Sequence, residues 1–558
     1  MTDDPLRRMR WWGWGDDAHG AALPEAAAAL LREELGWADG PDRRPVALED
    51  VRLPAARLSD RLRSRLAEAV GSDGVRTDRL ERVLHAAGKS YPDLVRLRTG
   101  EALDAPDAAV YPASHEEVAR VLAACADEGV AVVPFGGGTS VVGGVDPVHD
   151  GFAGAISLDT GRMDRLVAAD HRSLTATLGP GLTGPRAEAW LAAQGLTLGH
   201  FPQSWEYATI GGFVATRSAG QASTGYGRID ELVLGLRCAT PAGEIIVKPF
   251  PASAAGPALR ELVVGSEGVL GVITEATLAV RPAPAERHYE GWSFRSFEKG
   301  AEAFRAMEQS EASPDVARLS DEEETRLSMA MASTGSAGER AGRAYLRARG
   351  HEGGCIAIIG HEGSAEEVAR RRSRTREALK RGGGLALGQR PGRAWLRGRY
   401  AGPYLRDALL DRAVMAETLE TATSWTNLSN LHEAVGSALR DSLRRRGTPP
   451  LVLCHVSHLY PSGASLYFTF LARQEAGAEL DQWRAAKTAA SEAIVAGGGT
   501  ITHHHAVGRD HTPWMTGEVG PLGLDVLRAA KERLDPTGIM NPGKLLPAAA
   551  DQRPAGTT

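Results

Sequence analysis

The feature that most constrains this chain is a run of small residues, Pro134-Phe135-Gly136-Gly137-Gly138-Thr139-Ser140, directly after the apolar stretch Val130-Ala131-Val132-Val133. The apolar stretch predicts a buried strand. Three glycines after it let the backbone turn tightly and approach an anion without Cβ clashes. Successive N–H groups in such a turn can nest a phosphate, and Thr139 and Ser140 add hydroxyl donors. Alone, a glycine triplet suits a plain turn equally well. It is neither a Walker A loop, lacking the Gly-Lys-Ser/Thr ending, nor a GxGxxG opening a helix. Its companions change the reading. Thr209-Ile210-Gly211-Gly212, Thr216-Arg217-Ser218-Ala219-Gly220, Gly225-Tyr226-Gly227, Gly265-Ser266-Glu267-Gly268 and Val269-Leu270-Gly271-Val272-Ile273 follow downstream. Repeated glycine clusters imply close backbone approach to one extended ligand, which suits a dinucleotide better than a single phosphate.

With 558 residues the chain exceeds one ordinary core. Hydrophobic content of 43% with 24% charged residues describes a soluble globular protein, and a net charge of −6 argues against nucleic acid as partner. Cys125, Cys238, Cys355 and Cys454 are scattered without a CxxC pair, so a reducing cytoplasm is expected. The start, Met1-Thr2-Asp3-Asp4-Pro5, lacks a signal-like apolar run, and no stretch reaches membrane-spanning length. Ala555-Gly556-Thr557-Thr558 is neither a peroxisomal nor an ER-retention tail. The arginine and alanine bias resembles GC-rich bacterial coding.

The first hundred residues read as helical and charged, after a tryptophan cluster, Trp11-Trp12-Gly13-Trp14-Gly15, assigned to packing. Ser114 to Glu117 reads as a capping box opening a helix that Gly129 stops. Strands are expected at Ala155 to Leu158, Leu174 to Leu178 and Ile245 to Val247, with a helix from Pro185. Two stretches read as loops or mobile links, Ser333 to Gly338 and Arg381 to Gly384. The chain closes with an amphipathic helix, Leu524 to Leu534, then the turn-rich Asp535-Pro536-Thr537-Gly538-Ile539-Met540-Asn541-Pro542-Gly543-Lys544. The expected organisation is α+β: a helical region over 1–104, a ligand-binding domain over 105–284, a cap over 285–498, and a C-terminal segment, 499–558, returning to the ligand-binding domain.

The order PFGGGTS, TIGG, GSEGVLGVIT and LDPTGIMNPGK resembles the vanillyl-alcohol-oxidase type of FAD-binding fold. That resemblance implies two α/β subdomains for FAD and an α+β cap over the flavin. It implies FAD contacts from Pro134 to Ser140, from Gln203, Ser204, Thr209, Gly211, Gly212 and Thr216 to Ala219, and from Glu267 to Ile273. Members that attach FAD covalently through this loop carry a histidine there. Thr139-Ser140 replaces it here, so FAD is expected to bind noncovalently.

The rest of the chain resembles the alkylglycerone-phosphate synthase (alkyl-dihydroxyacetonephosphate synthase) family, from Met9-Arg10-Trp11-Trp12-Gly13-Trp14-Gly15 to Leu546. Gly199-His200-Phe201-Pro202-Gln203-Ser204, Tyr404-Leu405-Arg406-Asp407, Leu466-Tyr467-Phe468 and His503-His504-His505 carry the match, which is looser over about 285 to 450. The family exchanges the acyl group of acyl-dihydroxyacetone phosphate for a long-chain alcohol, giving the alkyl ether and a fatty acid through a flavin N5 adduct. Tyr467 matches its essential tyrosine, and alternation with Leu466, Phe468 and Phe470 puts Tyr467 on the opposite strand face. Arg406 and Arg318 match arginines placed at the substrate. From sequence alone an ion pair of Arg406 with Asp407 or Asp411 is the plainer reading. His503, His504 and His505 are expected to tune proton transfer. On an extended segment His503 and His505 share a face while His504 opposes them. A metal would need further ligands. His455 and His458 are the only candidates, with no acidic or cysteine ligand beside the run, and no metal is assigned.

Two alternatives remain open at this point: an FAD-linked 2-hydroxy-acid dehydrogenase, such as one for lactate or glycolate, and an FAD-containing lipid-binding protein without turnover. The resemblance further implies a homodimer. Long-chain substrates imply peripheral contact with a membrane, in a bacterium the inner-membrane surface.

Overall fold

A computed structural model describes residues 9–16, 18–20, 22–36, 43–333 and 335–547. The termini Met1 to Pro5 and Ala555 to Thr558, and Thr334 in the first loop, lie outside the described residues.

Two small sheets build the ligand-binding half. In the first the order is Val75–Arg76, Ala108–Val110, Gly154–Asp159, Val130–Phe135, and the last three strands run parallel. The helix His115–Glu128 makes the crossover and buries Val118, Val121 and Leu122 against the sheet. Ser114 Oγ accepts the Glu117 N–H at 3.2 Å, and Gly129 ends the helix at φ +63°. The expected capping box is altered: Glu117 returns to the Ala113 N–H at 2.7 Å, one residue earlier than the motif requires.

The second sheet is antiparallel, in the order Leu166–Asp170, Thr175–Leu178, Val272–Ala279, Val233–Thr240, Gly243–Val247. Three of its strands, Leu166–Asp170, Val233–Thr240 and Val272–Ala279, escaped the sequence reading. The first is a largely exposed edge strand, and the other two alternate weakly because both faces are largely buried.

The cap is a seven-stranded sheet ordered Leu385–Gly388, Glu286–Phe294, Cys355–Gly363, Val316–Ser320, Leu451–Tyr460, Gly463–Arg473, Val414–Ser424. One face carries Trp292, Phe294, Phe468 and Phe470 into the largest apolar cluster, beneath helices that include Leu428–Arg445 and Glu479–Ala496. The other face looks onto the cavity described below. The period of two thus sorts the strand Gly463–Arg473 as expected, with Leu466, Phe468 and Phe470 fully buried and Tyr467 opposite.

The first hundred residues are shared between the halves. Leu62 and Leu66 pack into the first sheet's cluster, whereas Leu31 and Leu35 pack against Val414, Leu451 and Leu471 of the cap. At the other end, Ile539 O accepts the Val132 N–H and Asn541 N–H donates to Val132 O, both at 2.8 Å. The C-terminal segment therefore pins the strand that leads into the glycine loop. The closing helix is Met515–Leu534, longer than expected, with a break at Gly520 (φ +74°) before Pro521. The stretch 333–338 ends as a loop at Ser336, because the helix Ala337–Ala348 begins inside it.

Candidate active site

A cavity of about 1830 Å³ runs from the glycine loop to the cap sheet. At its floor lie Pro134 to Ser140, Thr209, Gly211, Gly212, Thr216, Ser218, Ala219, Glu267, Gly268 and Gly271 to Ile273. Among the described residues the N–H groups of Gly137, Gly138, Thr139 and Ser140 donate to no protein acceptor, although these residues line the cavity. Backbone donors left open in a row are the donor set a pyrophosphate requires. The glycines have a second cause. A Cβ on Gly137 would lie 2.1 Å from Tyr207 O, and one on Gly136 would lie 2.4 Å from Thr209 Oγ1. Protein packing, and not ligand approach alone, therefore demands glycine at both positions.

Glu267 lines the floor but acts as a clamp, accepting Val507 N–H at 2.8 Å and Gly508 N–H at 2.7 Å. Burial pushes its carboxyl up to about 7, with those two bonds opposing. Asn541 Nδ2 donates to Glu267 O at 2.6 Å and to Gly144 O at 3.1 Å, tying both glycine-rich loops to the C-terminal turn. Gln203 and Ser204 border the cavity, and the Gln203 amide donates to Arg399 O at 2.9 Å. Three expected contacts lie elsewhere. Arg217 turns away to pair with Glu261, and Val269 and Leu270 sit in an apolar cluster with Val507, Met515 and Leu524. Glycine-rich runs mark a loop without telling which side each residue presents.

At the cap end Tyr467 is enclosed by rings. His455 stacks on it at 4.8 Å and His504 at 6.0 Å, and His505 meets it edge-on at 5.4 Å. Burial pushes the Tyr467 phenol up to about 12, with Thr418 opposing. Arg318 donates to Glu324 at 2.7 Å and lies 3.0 Å from the His455 ring nitrogens. Burial works to raise the Glu324 carboxyl, and the charges of Arg318 and His455 override it, leaving it well below the usual range.

The three consecutive histidines are not on an extended strand. Their backbone bends so that the N–H groups of His503, His504 and His505 all reach the buried Glu420 carboxylate, at 2.7, 2.8 and 2.8 Å. Alternating faces therefore do not apply. Burial drives the His503 imidazole down to about 3 and His505 well below its ordinary value, so both are neutral near pH 7. Glu420 pairs in register with Tyr467 on the neighbouring strand. Burial opposes its ionisation, yet the histidine neighbours hold it well below the ordinary carboxylate value. The sequence reading missed Glu420. Its one signal was a carboxylate inside the apolar pattern of Val414–Ser424.

Arg406 lies on the helix Gly402–Leu410 and lines the cavity. The expected ion pair is absent among the described residues: Asp407 accepts the Trp14 N–H at 2.8 Å and Asp411 binds Arg98. Arg406 donates to Lys89 O at 2.6 Å, while its Nε is buried without a partner. The tryptophan motif seats this helix. A Cβ on Gly13 would meet Asp407 at 2.4 Å, and one on Gly15 would meet Tyr404 at 2.2 Å. Trp14 also lines the cavity, so the motif serves packing and the site together.

Comparison with known proteins agrees with this geometry. Residues 106–247 match the FAD binding domain family and 283–545 match the FAD linked oxidases, C-terminal domain. An alkyldihydroxyacetonephosphate synthase of Dictyostelium discoideum is 33% identical, covering 98% of this chain and 95% of the relative. One from Trypanosoma brucei brucei is 35% identical, covering 99% and 95%. A solved alkyldihydroxyacetonephosphate synthase superposes with TM-score 0.85 at 31% identity, covering 97% of this chain and 99% of the other. p-Cresol methylhydroxylase shares the fold, with TM-score 0.63 at 14% identity over 87% of this chain and 96% of the other.

Proposed function

The chain belongs to the alkyldihydroxyacetonephosphate synthase family, and from that premise we propose that it exchanges the acyl group of acyl-dihydroxyacetone phosphate for a long-chain alcohol. Alkyl-dihydroxyacetone phosphate and a free fatty acid leave, with no net oxidation. The observation that carries this reading is one continuous cavity with the open N–H row at one end and Tyr467, Arg318 and the histidines at the other. The row from Gly137 to Ser140 would hold FAD without a covalent bond through this loop, since Thr139-Ser140 offers no histidine. When bound, the flavin would supply an electron-poor ring beside the headgroup carbon.

The residues of the chain divide the remaining work. Arg406, a cation with an unpartnered Nε, suits the headgroup phosphate. Arg318 bonds Glu324 and His455, so it positions the imidazole that stacks on Tyr467 and lines the cavity as a cation for the substrate. At about 12, the Tyr467 phenol is protonated near neutral pH. It accepts a proton from the first headgroup carbon only after giving up its own, and His504, stacked on it at 6.0 Å, is the imidazole placed to receive that proton. The apolar wall of Leu327, Leu346, Leu387, Trp395 and Leu453 suits aliphatic chains and excludes water from this step.

A bacterial cytoplasmic location with peripheral membrane contact is part of the proposal. Supporting it, the helices Ala337–Ala348 and Gln389–Gly398 border the cap end of the cavity and carry Arg343, Arg390, Arg393 and Arg397. No helix among the described residues is long and apolar enough to cross a membrane. A homodimer is also proposed, supported by the exposed apolar residues Leu522 and Val526 after the break at Gly520. The test of function is incubation of the FAD-loaded protein with acyl-dihydroxyacetone phosphate and hexadecanol. Ether product and fatty acid are expected in equal amounts without an electron acceptor. Absence of ether with flavin bound sinks the reading, as does flavin bleaching by a 2-hydroxy acid under anaerobic conditions.

A further inference from the structure

The histidine cluster beside Tyr467 has a capacity that ether exchange does not use. His458, His503 and His504 each offer a ring nitrogen, and the three nitrogens lie within 4.8 Å of one another. His458 is buried, and its Nδ1 has no hydrogen-bond partner among the described residues. The charge of the surroundings is a separate observation. Glu420 Oε2 lies 3.4 Å from His504 Nδ1 and 3.8 Å from His503 Nδ1. Among the described residues no lysine or arginine comes within ion-pair distance of this buried carboxylate. Imidazole nitrogens beside one anionic oxygen are the donors that borderline transition-metal dications select, and they are poor donors for Mg²⁺ or Ca²⁺.

We infer that His458, His503 and His504 form a three-histidine site for a Zn²⁺-class dication, its charge offset by the nearby Glu420 carboxylate, and that occupation of this site blocks turnover. The ion replaces the 3.1 Å contact between His503 Nδ1 and His504 Nδ1. Ligand nitrogens around tetrahedral Zn²⁺ stand roughly 3.4 Å apart, so ring rotations of about 1 Å close the set. The Tyr460 hydroxyl, 2.6 Å from His503 Nε2, keeps its bond and orients that ring. Coordination consumes the His504 lone pair beside Tyr467, which removes a proton acceptor from the site.

Equilibrium dialysis of the FAD-loaded protein against Zn²⁺, and separately Mg²⁺, tests the binding. One Zn²⁺ per chain is expected, with no retained Mg²⁺. His458→Leu should weaken Zn²⁺ binding at least about tenfold, and Tyr460→Phe should weaken it less. Flavin absorbance verifies folding, and His458→Gln serves if the leucine variant loses its flavin. No stoichiometric Zn²⁺, or unchanged affinity when His458 is replaced, overturns the site. The blocking effect rests on the synthase reading and is measured separately. Zn²⁺ should suppress ether formation reversibly with a chelator, and about tenfold more should be needed once His458 is replaced. Stoichiometric binding with full turnover overturns the block alone. A protein that binds Zn²⁺ but makes no ether in its absence instead refutes the function.

Discussion

The two ends of the cavity are built from different materials. The flavin end is backbone: open N–H groups from Gly137 to Ser140, held by Tyr207, Thr209 and the C-terminal turn through Asn541. The cap end is side chain: Tyr467, His455, Arg318 and the histidines, gathered by two buried carboxylates, Glu324 and Glu420. A backbone cradle fails when a side chain is added to it, and a side-chain cluster fails when one is taken away. Substitutions at the first end should therefore lose the cofactor. At the second they should lose chemistry and keep the flavin.

Gly137→Val should have the largest effect, because its Cβ must occupy space 2.1 Å from the Tyr207 carbonyl. Purified protein is expected without flavin and without turnover; a yellow, active variant would erase the distinction between the ends. Tyr467→Phe should retain FAD and lower ether formation about 10²- to 10⁴-fold, the range for a lost acid–base group. Flavin content and product assay together read that split. For Arg406→Ala, loss of one charge-assisted contact of about 1.5–3 kcal/mol predicts a ten- to hundredfold lower kcat/KM. Flavin binding should be unaffected.

Glu420→Gln leaves one carbonyl oxygen where a carboxylate accepts three backbone N–H groups, a destabilisation of about 1–3 kcal/mol. Thermal unfolding should report it, together with reduced turnover from displaced histidines. The smallest change is confined to pH and belongs to the flavin end. The folded Glu267 carboxyl is raised to about 7, so its stabilising contribution is full at low pH and is lost as pH rises from about 4.5 to about 7. Glu267→Gln should flatten the dependence of Tm on pH across that window, and an unaltered slope would remove Glu267 as its cause.

Legibility follows the same division. Phosphate nests and their glycines are short-range, so Pro134 to Ser140 could be read in the order of the chain. Arg217, Val269 and Leu270 were carried along by adjacency in sequence, although the fold directs them to Glu261 and to an apolar cluster. At the cap end the period of two put Tyr467 on the cavity face. It could not show that His455, 12 residues earlier by number, would stack on it, or that Glu420 would lie opposite across a strand pair.

By itself the sequence determined the glycine loop, its buried strand, the family resemblance and the open face of Tyr467, because these depend on neighbours within a few residues or on a repeating pattern. Only the tertiary structure decided that Glu420 bends His503, His504 and His505 around one carboxylate, and that Arg406 is left without an acidic partner. Both outcomes arise from contacts between segments far apart in the chain. A buried charge takes whichever donors the packed fold brings within about 3 Å, and no local pattern encodes which those will be.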